Sequence, residues 1–188
     1  MLVTGCANPT GESAVDGYNG LYFTDAELQA IVGERKMHGC PVKAEHWGGE
    51  LGRVVSSYVD GAGLLQCVMH INECIVEGAI AAGLVRDGIA KELSLGYSVD
   101  VAHSAEGADG GRGLQAQTKQ ILEVSLVRKG GRDACFVLVY EDDAGRRTQF
   151  TRAHSPAGSA AGEVAVESAG ESAGESAGDP WAAFDLRA

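Results

Sequence analysis

The 188-residue sequence is short of basic residues, of paired cysteines and of long apolar runs, and each shortage removes a class of function. Its 15 Lys and Arg face 26 Asp and Glu, a net charge of −11 that opposes attraction to phosphate backbones, so no nucleic-acid partner is expected. The 5 cysteines, Cys6, Cys40, Cys67, Cys74 and Cys135, are odd in number and contain no C-x-x-C pair. They encode neither a disulfide framework nor a zinc knuckle and fit a reducing compartment. Cys67 and Cys74 stand in apolar surroundings and are expected as small buried hydrophobes without a chemical role. No stretch approaches the ~20 apolar residues of a membrane span. The start, MLVTGCANPTGES, lacks the basic-then-apolar layout of a signal peptide. A soluble, unsecreted protein with no membrane partner is expected, and with neither a phosphate loop nor a metal-ligand set, no cofactor and no metal.

What remains is 45% hydrophobic and 22% charged, ordinary for one globular domain. Folding at this length removes roughly 70% of the unfolded chain's surface, enough for a core without crosslinks. Composition breaks near His154. Residues 1–153 read as the domain and 154–188 as a tail, whose SPAGSAAGEVAVESAGESAGESAGD (155–179), with three ESAG units, leaves almost nothing to build a core, so disorder is expected there. The closing DPWAAFDLRA restores Trp181, Phe184 and Leu186, a cluster that reads as a docking peptide or as inert.

Thr24 to Glu27 forms a T-x-x-E capping box that opens a helix through AELQAIVGE. GRVVSSYV and LLQCVMHI, broken by Asp60-Gly61-Ala62-Gly63, signal a hairpin. Asn72 is placed to cap a second helix through ECIVEGAIAAGLVRDG. ELSLGYSVDVA and ILEVSLVR alternate at period two, and CFVLVYE and RRTQFTR flank Asp142-Asp143-Ala144-Gly145. The expected fold class is mainly β (α+β): a closed or nearly closed β-barrel decorated by two or more helices.

Three stretches put candidate catalytic side chains on or beside strands: PVKAEHWGGELGRVV with His46, KELSLGYSVD with Ser94, and ILEVSLVRKGGRDA with Glu123. A serine hydroxyl needs an imidazole to take its proton, and the imidazole needs a third group to fix its tautomer and stabilise its charge. Ser94, His46 and Glu123 supply those parts in kind. By residue type alone Ser98 is equivalent to Ser94, His46 fits a hydrogen-bonded strand-end histidine, and Glu123 fits a rim carboxylate. Trp47, Tyr58 and Tyr97 fit the wall of a ligand-binding barrel or ordinary core and rim positions.

The order and surroundings of the three stretches resemble the capsid maturation proteases of herpesviruses (assemblin) and the prohead proteases of tailed phages. His46, then Gly49 and Gly52-Arg53-Val54-Val55, resembles the histidine, glycine and Gly-Arg-Val sequence leading into that family's barrel hairpin. Leu93-Ser94-Leu95 resembles its nucleophile strand, and Glu123-Val124-Ser125-Leu126 through Gly130-Gly131-Arg132 resembles the strand and turn that provide the third triad member and oxyanion site. The resemblance covers approximately residues 18 to 141. Two positions depart from the herpesvirus pattern: Glu123 replaces a second histidine, as in the phage branch, and Gly131 replaces the first of two arginines.

The resemblance implies a serine endopeptidase with Ser94 as nucleophile, His46 as general base and Glu123 holding the imidazole. Gly130, Gly131 and Arg132 would form the oxyanion turn, with Arg132 available to hold a water or the developing charge. It implies capsid scaffold and the protease's own precursor as substrates, the capsid shell protein as a partner, and a homodimer. The compartment implied is the viral procapsid, in the nucleus for a herpes-like virus or the cytoplasm for a phage. A non-catalytic scaffold-binding or assembly module of the same fold is the alternative within the family.

Overall fold

The computed structural model describes residues 1–11, 21–99, 119–132, 134–150, 179–181 and 184, together with the backbone of 104–105 and 115–116. Strand β1 (Leu2–Asn8) is followed by helix α1 (Asp25–Gly33), β2 (Pro41–Ala44), β3 (Trp47–Val59), β4 (Leu65–Ile71), α2 (Val76–Arg86) and β5 (Glu92–Val99). The two-residue strands β6 (Ser104–Ala105) and β7 (Gln115–Ala116) pair only with each other. Then come β8 (Lys119–Val127), β9 (Val137–Glu141) and β10 (Arg147–Gln149).

Local chemistry sets these boundaries. Thr24 accepts the Glu27 amide at 3.2 Å and Glu27 accepts the Thr24 amide at 2.8 Å, the reciprocal box expected at the start of α1. Between β3 and β4, Asp60 Oδ1 accepts from Ala62 N at 2.9 Å and Leu64 N at 3.0 Å, while Oδ2 accepts from Gln66 Nε2 at 2.8 Å. Together these bonds fix the turn. The start of α2 differs from expectation. Asn72 does not cap it; its side chain accepts Cys74 N at 3.1 Å in a local two-residue turn, and the helix begins behind Ile75 with no side-chain cap.

Eight strands form one mixed sheet in the order β10-β9-β1-β4-β3-β2-β8-β5. Its pairings are antiparallel except β2 with β8, where Val42, Lys43 and Ala44 run parallel to Val124, Ser125 and Leu126. The expected barrel is corrected: the sheet is not closed. Among the described residues no ladder joins β5 to the β9–β10 edge; the two approach through an isolated Glu92–Phe136 bridge, the Leu93 N to Cys135 O bond of 3.0 Å and the Val137 N to Lys91 O bond of 2.7 Å. The sheet nevertheless curls. A Cβ on Gly5 of β1 would lie 2.6 Å from both Leu93 Cδ1 and the Phe136 carbonyl oxygen, so β5 folds over β1 at a point where only glycine fits.

The core fills this curl, with Val3, Phe23, Leu28, Val42, Leu65, Met69, Val85, Leu93 and Val124 all fully buried. All five cysteines are free, and Cys67 is buried as expected, its thiol pushed up to about 12 by loss of solvent and the nearby Cys6. Cys74 is exposed, because it precedes α2 in the Asn72 turn instead of lying on the helix's packed face. Of the run 155–179 expected to be disordered, 155–178 falls outside the described residues, while Asp179 is held by an ion pair to Arg128. Beyond it Trp181 is 4% exposed, part of the main core, and Phe184 packs against that core.

Candidate active site

Strands β2, β8 and β5 converge the three sequence-derived residues on one region. His46 lies in a two-residue turn closed by the Ala44–Trp47 pair, with Glu45 and His46 at φ 50° and 68°. Both central residues therefore adopt the left-handed conformation of a type I′ turn, which Asn and Gly take far more readily. Strand β8 holds them there. Glu45 N–H donates to Leu126 O at 2.9 Å, Glu45 Oε1 accepts Arg128 N–H at 2.6 Å, and His46 N–H donates to Ser125 Oγ at 3.2 Å.

The imidazole of His46 meets Glu123 of β8, with Nδ1 donating to Oε1 at 2.7 Å. The His46 side chain is 41% exposed and that of Glu123 is 9%, so a nearly buried carboxylate backs an accessible imidazole. The bond and charge of Glu123 hold the His46 pKa above its usual value of 6.5, outweighing loss of solvent, with Glu45 adding in the same direction. With the proton fixed on Nδ1, Nε2 is the basic nitrogen of the neutral ring.

Ser94 sits half-buried on β5 directly opposite Ser125, and Gly96 opposite Glu123. Residues opposed across an antiparallel ladder share a face, so Ser94, Gly96, Glu123 and Ser125 line one surface, to which His46 is bonded. Among the described residues, only the His46–Glu123 pair of the three is hydrogen-bonded; no bond joins Ser94 Oγ to His46.

Two further residues build the site without having been singled out for a role from the sequence. Ser125, fully buried, donates its hydroxyl hydrogen to Glu123 Oε2 while accepting the His46 amide. Gly96 leaves the space the carboxylate occupies: a Cβ there would stand 1.9 Å from Glu123 Oε1. The two-residue spacing of Glu123 and Ser125 on a strand was the available signal for the first, since i and i+2 share a face. Gly96 had none, because its partner lies on another strand.

The Gly130-Gly131-Arg132 turn runs beside the start of β5: Gly130 N–H donates to Glu92 Oε2, and Gly131 is exposed with no hydrogen-bond partner among the described residues. The Arg132 side chain is held in the interior. Its guanidinium is buried, donating to the Leu21 carbonyl at 3.1 Å and Tyr97 Oη at 3.4 Å, and lies 6.0 Å from the Phe23 ring centre. Arg132 thus ties the turn to the core, and its contacts belong to the Tyr97 side of β5, opposite Ser94 in strand alternation.

Among the described residues no group of three or more His, Cys, Asp or Glu is arranged to hold a metal ion. A cleft of about 660 Å³ opens between α1 and the far ends of β5 and β8, lined by Phe23, Glu27, Lys36, Ser98 and Lys119 among others. None of Trp47, Tyr58 or Tyr97 lines it; Trp47 and Tyr58 are exposed and Tyr97 packs against the core.

No protein-family model matches the sequence, and no curated protein matches it at a significant level. A solved structure does resemble it: KSHV protease in complex with a hexapeptide phosphonate inhibitor, at a TM-score of 0.50 and 17% identity. The match covers 75% of this chain and 65% of that one, so the chain spans just under two thirds of that protease. The likeness is a distant one of fold, to a herpesvirus protease.

Proposed function

We propose that the chain is a serine endopeptidase of the capsid-maturation kind, with Ser94, His46 and Glu123 as its catalytic group. The observation that carries this reading is the 2.7 Å bond from His46 Nδ1 to Glu123, on the face that also bears Ser94, within a fold distantly shared with a herpesvirus protease. Substrate docking would close the remaining gap between Ser94 and the imidazole, as catalytic hydrogen bonds commonly tighten only in the complex.

In this mechanism His46 Nε2 takes the Ser94 hydroxyl proton as Oγ attacks the peptide carbonyl, and Glu123 stabilises the resulting imidazolium. The Gly131 main-chain N–H is the available donor to the tetrahedral oxyanion, because Gly130 N–H is engaged with Glu92 and the Arg132 guanidinium with Leu21 and Tyr97. Collapse expels the amine, which receives its proton from His46, and leaves an ester on Ser94. Water, deprotonated by His46, then hydrolyses that ester. The sequence resemblance supports capsid scaffold and the precursor itself as substrates, a shell-protein partner, action within a procapsid and a homodimeric form.

The test is exposure of wild type and Ser94→Ala to a peptide phosphonate and to co-expressed candidate scaffold, followed by intact-mass analysis. Expected are one phosphonate adduct on Ser94 and discrete scaffold fragments, both absent from a folded Ser94→Ala. Scaffold bound but uncut, with no adduct on wild type, replaces the peptidase with the non-catalytic assembly module.

A further inference from the structure

Asp179, Trp181 and Phe184 are held against the body. Asp179 Oδ2 pairs with Arg128 Nη2 at 2.9 Å, while Asp179 Oδ1 accepts the Trp181 amide at 3.0 Å. The Phe184 amide donates to Trp181 O at 2.8 Å, bringing the two rings to 5.9 Å. Trp181 is 4% exposed and joins the main core. The side chains of Arg128 and Asp179 are 41% and 47% exposed, so solvent screens their pairing and the indole is the stronger anchor.

Arg128 is where this anchorage touches the site. Its side chain holds Asp179, its main-chain N–H is bonded to Glu45 in the His46 turn, and it opens the stretch leading to Gly130 and Gly131. The docked segment also leaves the working face open, with the His46 side chain 41% exposed and Trp47 73% exposed. That geometry suits a support and not a plug.

We propose that the body carries a tryptophan-accepting site beside the Arg128–Arg132 turn, whose occupant is the chain's own Trp181 with Asp179 and Phe184, and that occupancy braces this turn against β5 and the His46 hairpin. The catalytic consequence rests on the peptidase reading; the docking and bracing do not.

Trp47 and Trp181 are the 2 tryptophans of the chain, so in full-length Trp47→Phe the emission comes from Trp181 alone. It should be blue-shifted and protected from acrylamide. Hydrogen exchange then compares wild type, Trp181→Ala, Trp181→Phe and Asp179→Ala. The Arg128 and Gly130 amides, both hydrogen-bonded, should exchange about tenfold faster in Trp181→Ala, be restored by Trp181→Phe, and shift less in Asp179→Ala, with β1–β4 amides unchanged as the folding control. On a cleaved substrate, Trp181→Ala should lower kcat with KM unchanged. Solvent-exposed Trp181 emission overturns the docking; unaltered exchange at Arg128 and Gly130 overturns the brace, as does faster hydrolysis by Trp181→Ala. If wild type cleaves nothing while emission and exchange behave as expected, the peptidase reading fails and the brace stands.

Discussion

The two oxygens of Glu123 have separate partners: Oε1 accepts the imidazole proton, and Oε2 accepts the Ser125 hydroxyl. Glu123→Gln should therefore disturb tautomer and charge together, lowering kcat about 10⁴-fold, as removal of a triad carboxylate's charge does. It should also move the acidic limb of kcat/KM downward in pH. The sign follows from His46, whose pKa lies above 6.5 and whose neutral form is the base in the proposed mechanism: activity should rise with pH through that raised value. Stability runs the other way, the charged pair stabilising the fold below about 6.5 and fading as pH climbs through the folded pKa. A pH–rate profile of both proteins and urea melts across the same window test this. Gly96→Ala leaves every polar group intact but forces the carboxylate from its place, and should cost about 10²-fold in kcat. A Gly96→Ala enzyme with wild-type kcat would refute that placement.

At the level of the element, the hairpins with turn chemistry written into them were legible in the sequence. Asp60-Gly61-Ala62-Gly63 announces the β3–β4 turn, and Asp60 serves it as expected; although burial alone raises its pKa, bonds from Leu64, Gln66 and Ala62 prevail and hold it low. Asp60→Ala should cost about 2 kcal/mol in urea unfolding while leaving the His46–Glu123 pair in place. The β2–β3 turn was not legible as one, because Glu45-His46 is a poor pair for two positive-φ residues. What enforces it is β8 and the residue after it, reached across about 80 positions through Leu126, Ser125 and Arg128. Local propensity carries no trace of such a partner. The same holds for Arg132, whose charge reads as a site group but whose partners, Leu21 and Tyr97, are visible only once the chain is folded. With two adjacent positive-φ residues in this turn, Glu45→Ala, which removes the Arg128 link and keeps the unfavourable backbone, should destabilise by about 1–2 kcal/mol. Chemical denaturation with fluorescence detection measures it.

For the molecule as a whole, β-rich character, two helices and most strand positions followed from periodicity and turn residues, whereas closure did not. Alternation shows which face of a strand is buried but not whether the last strand meets the first. The sheet instead ends at β5, brought against β1 by the close approach at Gly5. Gly5→Val should destabilise by about 3 kcal/mol through overpacking against Leu93 and Phe136, measurable as a lowered urea midpoint. The parallel β2–β8 pairing has a consequence in time. His46 and Glu123 are 77 positions apart, and the β2 strand that leads into the His46 turn meets β8 only after a long crossover. During synthesis the histidine is made well before its carboxylate, so a nascent chain that ends short of β8 carries an ordinary surface imidazole. On the proposed peptidase reading, the histidine–carboxylate pair is therefore completed late in translation, after most of the body exists, and a nascent chain that stops short of β8 should be inactive.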